Sequence, residues 1–147
     1  MLKLVVVDST AQARNKIVRQ FTEFLNADIK DLALIPRVTI KPLSPQELKF
    51  HAAPDICVVG DEIASREVTT LASIRKLLPD TPILMRLNSS CDSLTSIEHL
   101  AAMGADDTIS ENITAFEFFK KILILAKKRR SAKPGQLVLV DSGKGGI

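Results

Sequence analysis

Short apolar runs alternate along this chain with stretches whose apolar residues recur every three or four positions. Runs of the first kind predict strands covered on both faces, and the wider spacing predicts one face of a helix. Lys3–Val7 (KLVVV) is the first expected strand. In the segment after it, Ile17, Phe21 and Leu25 fall four apart, and Ser9 with Gln12 has the form of a capping box. Arg37–Ile40 is short and β-branched. Pro36 and Pro42 on either side suit an edge strand, because proline cannot donate to a ladder. Ser44–Glu47 (SPQE) reads as a second helix start, with Ser as N-cap, Pro at the first helical position and Glu at the third.

The alternation continues with Asp55–Gly60 as a third strand and a helix over Arg66–Leu78, where Val68, Leu71, Arg75 and Leu78 share a face. Thr81–Leu87 is a fourth strand. Ser93–Met103 is a fourth helix, with Leu94, Ile97, Leu100 and Ala101 on one side. Asp106–Ile109 is a short fifth strand, and Thr114 with Glu117 opens a fifth helix that runs to Arg130. Five strands alternating with five helices predict an α/β fold: a parallel sheet, right-handed crossovers, and helices on both faces. Residues 1–130 form that domain. Residues 131–135 read as a linker of small residues with Pro and Gly, and 136–147 begin something new.

Composition narrows the function. Of 147 residues, 46% are hydrophobic and 25% charged, the balance of a globular protein with a real core. No apolar run approaches membrane-span length, and the start of the chain lacks the features of a secretory signal. A cytoplasmic protein is expected. Cys57, Cys91, His51 and His99 stand apart, so zinc spacing is absent. The net charge of +3 owes much to Lys127–Arg130, which read as a helix C-terminus favoured by the dipole. With no Trp and no Tyr to stack on bases, no nucleic-acid partner is expected.

In a sheet of this kind, functional residues gather at the carboxyl ends of the strands. Those ends carry Asp8, Ser9 and Thr10; Gly60, Asp61 and Glu62; Leu87, Asn88 and Ser89; and Ser110 and Glu111. Through VVVD, PDICVVG, TPILM and most specifically GADDTIS (Gly104–Ser110), residues 2–130 resemble the receiver domains of bacterial response regulators. The resemblance implies the flavodoxin/CheY-like (βα)5 three-layer sandwich, with strand order 2-1-3-4-5. It also implies a site in which an acidic pair after strand one binds magnesium and an Asp ending strand three accepts phosphate. A Thr or Ser ending strand four and a Lys after strand five, followed by Pro, read the phosphoryl group.

The site positions depart from that pattern. Asp8 matches the first acid, but Ser9 occupies the second. The acceptor position falls on Gly60, with Asp61 one residue late; Leu87 stands for the hydroxyl, Glu111 for the Lys and Asn112 for the Pro. A lone carboxylate holds magnesium weakly, and Glu111 would repel a phosphoryl group. A degenerate receiver that works without phosphorylation is the expectation. The alternative is a phosphorelay receiver with Asp61 as acceptor, and Asp8 and Asp61 as magnesium ligands. A flavin or nucleotide domain would need a glycine-rich turn after strand one, where Asp8, Ser9 and Thr10 sit instead.

Two further regions carry expectations. On the fifth helix, Ile113, Phe116, Phe119, Leu123 and Ala126 are assigned to the core. Phe118, Ile122, Ile124 and Leu125 are then surplus apolar surface, a candidate homodimer interface. In receivers the face made by helix four, strand five and helix five commonly dimerises. The closing LVLVDSGKGGI resembles the opening strand and deviant phosphate loop of MinD/ParA-type ATPases, with Gly143, Lys144, Gly145 and Gly146 as an incomplete loop. A receiver-like domain before such an ATPase resembles the CpaE/TadZ family of Tad-pilus assembly proteins. That resemblance implies ATP in the full-length protein, the C-terminal ATPase domain and polar or pilus-machinery proteins as partners, and recruitment to the inner membrane or cell pole.

Overall fold

The apolar runs pair as parallel strands in a computed structural model, which describes residues 2–26, 37–66, 68–88, 98 and 100–132. Strands β1 (Leu2–Val7), β2 (Val38–Leu43), β3 (Ile56–Val59), β4 (Ile83–Leu87) and β5 (Asp107–Ser110) form one sheet in the order β2-β1-β3-β4-β5. This is the expected flavodoxin/CheY-like topology. Helices α1 (Ala11–Leu25), α2 (Asp61–Arg66), α3 (Val68–Leu77) and α4 (Ala115–Ala132) connect or cover the strands. Val7 lies opposite Val59, Val59 opposite Met85, and Leu87 opposite Ser110, so the carboxyl ends of β1, β3, β4 and β5 lie side by side.

Alternation along the strands sends side chains to two cores. Val5, Val7, Cys57, Val59, Ile83, Met85 and Leu87 meet Leu71, Ile74 and Leu78 on one face. Leu4, Val6, Ile56, Val58 and Leu84 meet Ile17 and Phe21 of α1 and Phe118, Phe119, Ile122 and Leu125 of α4 on the other. Burial pushes the Cys57 thiol up to about 12, so it is an inert packing group.

Several boundaries differ from expectation for local reasons. The cap of α1 is Thr10 rather than Ser9: its Oγ1 accepts from the Ala13 N–H at 3.2 Å. β2 runs through Pro42, which its edge position tolerates. The SPQE capping box forms, with Ser44 N–H donating to Glu47 Oε1 at 2.9 Å and Glu47 N–H to Ser44 Oγ at 3.2 Å. It leads only into a 3-10 turn over Leu48–Phe50, in which Leu48 alone is buried and Phe50 is exposed. The helical segment after β3 starts at Asp61, earlier than expected. Of the expected fourth helix, residues 98 and 100–102 are helical and 93–97 and 99 lie outside the described residues. α4 continues two residues into the expected linker; residues 133–147, including Gly143, Lys144, Gly145 and Gly146, lie outside the described residues.

The face of the last helix is corrected. Phe118, Ile122 and Leu125, assigned to a partner surface, are buried on the sheet, and Phe118 stacks on Phe21 at 4.3 Å between centroids. Phe116, assigned to the core, is 43% exposed, and Ile124 is 61% exposed. The helix is apolar on nearly every side, so spacing alone selects no face; the aromatic cluster of Phe21, Phe24 and Phe118 does.

Two motifs behind the receiver resemblance are braces. Arg75 donates to the carbonyls of Leu78, Thr81 and Gly104 and to Asp106 Oδ2 at 2.6 Å. Asp106 Oδ2 also takes the Ile83 N–H, fixing the start of β4. Gly104 has φ +119, a conformation that favours glycine, and its carbonyl meets Arg75 there. In the PDI motif, Asp55 Oδ2 accepts from the Lys3 N–H and the Asp55 N–H donates to the Lys3 carbonyl, aligning β3 with β1. Among the described residues no helix is long and apolar enough to cross a membrane.

Candidate functional site at the carboxyl ends of the strands

α2 begins immediately after β3, and a helix start leaves backbone N–H groups without partners. Gly60 sits where a capping side chain would stand and has none. Asp8, at the end of the neighbouring strand, fills that role: its Oδ1 accepts from the Ile63 N–H at 3.1 Å and from the Ser9 N–H at 2.9 Å. The carboxyl lies in the space a side chain at Gly60 would need; a Cβ built there overlaps the Asp8 carboxyl. Gly60 and Asp8 are therefore complementary. Gly60 has no side chain, and the acid that follows β1 occupies the space one would need.

Asp8 is fully buried, and its Oδ2 has no hydrogen-bond partner. Burial pushes its pKa above the ordinary carboxylate range; the two backbone N–H bonds oppose this, and the nearby Asp61 and Glu62 charges add to the rise. Its backbone carbonyl accepts from Arg14 Nη1 at 2.8 Å.

Asp61, the first residue of α2, is partnered from β4: Arg86 Nη1 lies 3.6 Å from its Oδ2. Arg86 Nε donates to Gln20 Oε1 at 2.9 Å, and Gln20 Nε2 donates to the Glu111 carbonyl at 2.8 Å. One chain of contacts thus crosses from α2 through β4 and α1 to the end of β5. Glu62 Oε1 accepts from Thr10 Oγ1 at 3.2 Å, tying α2 to the cap of α1.

The two switch positions take structural places. Leu87 is buried in the core with Val59, Leu71 and Leu100 and has no hydroxyl to offer. Glu111 is fixed through its backbone, donating its N–H to the Leu87 carbonyl at 2.9 Å. The fit to magnesium is poor. Asp8 is enclosed against Gly60 with Oδ1 already used, and Asp61 lies beside a guanidinium. Among the described residues no three acidic, His or Cys side chains gather closely enough to hold a metal ion.

Sequence reasoning missed Arg86, Gln20 and the interlock of Gly60 with Asp8. A signal for Arg86 was present, since it is the charged residue within ILMRL, an otherwise apolar strand. The interlock had none, because the two residues lie on different strands and neither type is unusual for its place.

Strand order and connectivity define an α/β domain of the flavodoxin/CheY-like fold. No family model matches the sequence, and no curated protein matches it. Solved structures do. A CheY-like response regulator receiver domain from Methanospirillum hungatei aligns with TM-score 0.63 and 15% identity over 90% of this chain and 99% of that one. A putative pilus assembly protein (CpaE) from Burkholderia thailandensis aligns with TM-score 0.62 and 13% identity, covering 89% and 99%. A putative CpaE2 pilus assembly protein from Sinorhizobium meliloti gives TM-score 0.58 and 18% identity, covering 87% and 98%. At these identities the likeness is one of fold, and it includes both receivers and pilus assembly proteins.

Proposed function

We propose that this chain is an atypical receiver domain that works without phosphorylation, as a localisation and self-association module N-terminal to a MinD-like ATPase of the Tad-pilus type. One observation carries the reading: the acceptor position is Gly60, and the Asp8 carboxyl occupies the space of the missing side chain. The buried Leu87 and the backbone role of Glu111 support it. Pilus assembly proteins among the structural neighbours support the ATPase context, as does the KGG sequence at Lys144–Gly146. The exposed Phe116 and Ile124 of α4 are the apolar groups this reading assigns to a second copy.

The second reading is a phosphorelay receiver with Asp61 as acceptor. The cation beside Asp61 favours it, because Arg86 could serve in place of the absent Lys. Sedimentation equilibrium separates the two. The module reading predicts a dimer that Asp61→Asn leaves unchanged and that Phe116→Asp with Ile124→Asp dissociates. A monomer throughout, or a dimer that depends on Asp61, contradicts it.

A further inference from the structure

Arg86 is 3% exposed, and its Nη1 has no hydrogen-bond partner. The 3.6 Å to Asp61 is an ion-pair distance, too long for a hydrogen bond. A buried guanidinium with an unused donor is costly unless something completes it. Arg86 borders an open cleft of about 1000 Å³, whose walls include Lys16 and Arg19 from α1, Thr10, Asn88, and Asp61 with Glu62. The basic groups in the walls outnumber the acidic ones, and an amide and a hydroxyl stand beside them.

We propose that this cleft binds the phosphate group of a small molecule non-covalently, with Arg86 as the inner anchor and Lys16 and Arg19 as the outer cations. A planar guanidinium fork matches a tetrahedral oxyanion, and lysine adds a mobile point charge. The anion takes the place of the Asp61 carboxylate beside Nη1, so Asp61 is its competitor rather than its acceptor. Gln20 holds the guanidinium in orientation from the other side. No bond is made or broken, and no metal is needed. The inference rests on the reading that the cleft is not a phosphotransfer site, and it adds a ligand class to that reading.

The test is an amide NMR titration of the full chain with sodium phosphate, against sodium chloride at matched ionic strength. A second arm uses adenosine monophosphate, to separate free phosphate from a phosphomonoester. Saturable shifts at Gln20, Asp61, Arg86 and Asn88 with phosphate or the ester, and none with chloride, are expected. Lys16→Gln with Arg19→Gln, both on an exposed helix face, should weaken binding about tenfold. Asp61→Asn should tighten it severalfold by removing the competitor. Identical responses to phosphate and chloride overturn the proposal, as does an affinity indifferent to Asp61→Asn. Covalent phosphorylation of Asp61, read separately by mass, would instead sink the reading on which the proposal rests.

Discussion

At the scale of single residues, the site turns on Gly60 and Asp8. Asp8 serves α2 as a cap would, so Asp8→Ala removes the partner of the Ile63 N–H and should cost about 0.5–2 kcal/mol. Gly60→Asp forces a side chain into the Asp8 carboxyl and should cost about 1–3 kcal/mol. The two changes made together should recover most of the loss, because the new side chain takes the space and the capping role at once. Urea melts of the two single variants and the double variant measure that coupling; additive losses would show that the residues do not interlock. Asp8 also sets a pH dependence. Its folded pKa is raised, so its contribution to stability is fully present below the unfolded value of 3.8 and is lost as pH rises through the folded value. Asp8→Asn should therefore be more stable than the parent at pH 7, with the advantage shrinking toward pH 4. None of this pairing was legible in the sequence. Asp8 matched a family acid and Gly60 a missing acceptor, but only the packing of β1 against β3 shows one filling the other.

At the scale of elements, the braces explain why the fold was legible. GADD and PDI drew the resemblance, and both hold backbone in place: Asp106 and Arg75 fix the start of β4, and Asp55 locks β3 to β1. Arg75→Ala leaves several carbonyls and Asp106 without their donor and should lower stability by about 2–3 kcal/mol. Arg75→Lys should recover only part of that, since one ammonium cannot span the same acceptors. A thermal melt of both variants checks this; two unchanged midpoints would mean the brace is idle. The strands followed from apolar runs and the edge place of β2 from its prolines, while the strand order came from the resemblance. The face of α4 did not, because its apolar residues circle the helix and the Phe21–Phe118 contact that orients it joins distant parts of the chain.

At the scale of the whole molecule, the sheet brings the ends of β1, β3, β4 and β5 side by side. Gly60 carries no side chain, and the Asp8 carboxyl fills the space beside it. Leu87 is part of the core, and the buried cation beside Asp61 is Arg86 of β4. Arg86 and Gln20 link α1, α2 and β5 at this end of the sheet, and the proposed reading gives that site no covalent step. The most direct test is intact-mass spectrometry of the full chain after incubation with magnesium and acetyl phosphate, beside an Asp61→Asn control. The account predicts no gain of a phosphoryl mass in either protein. A gain in the parent that the control lacks would make Asp61 a working acceptor and contradict it.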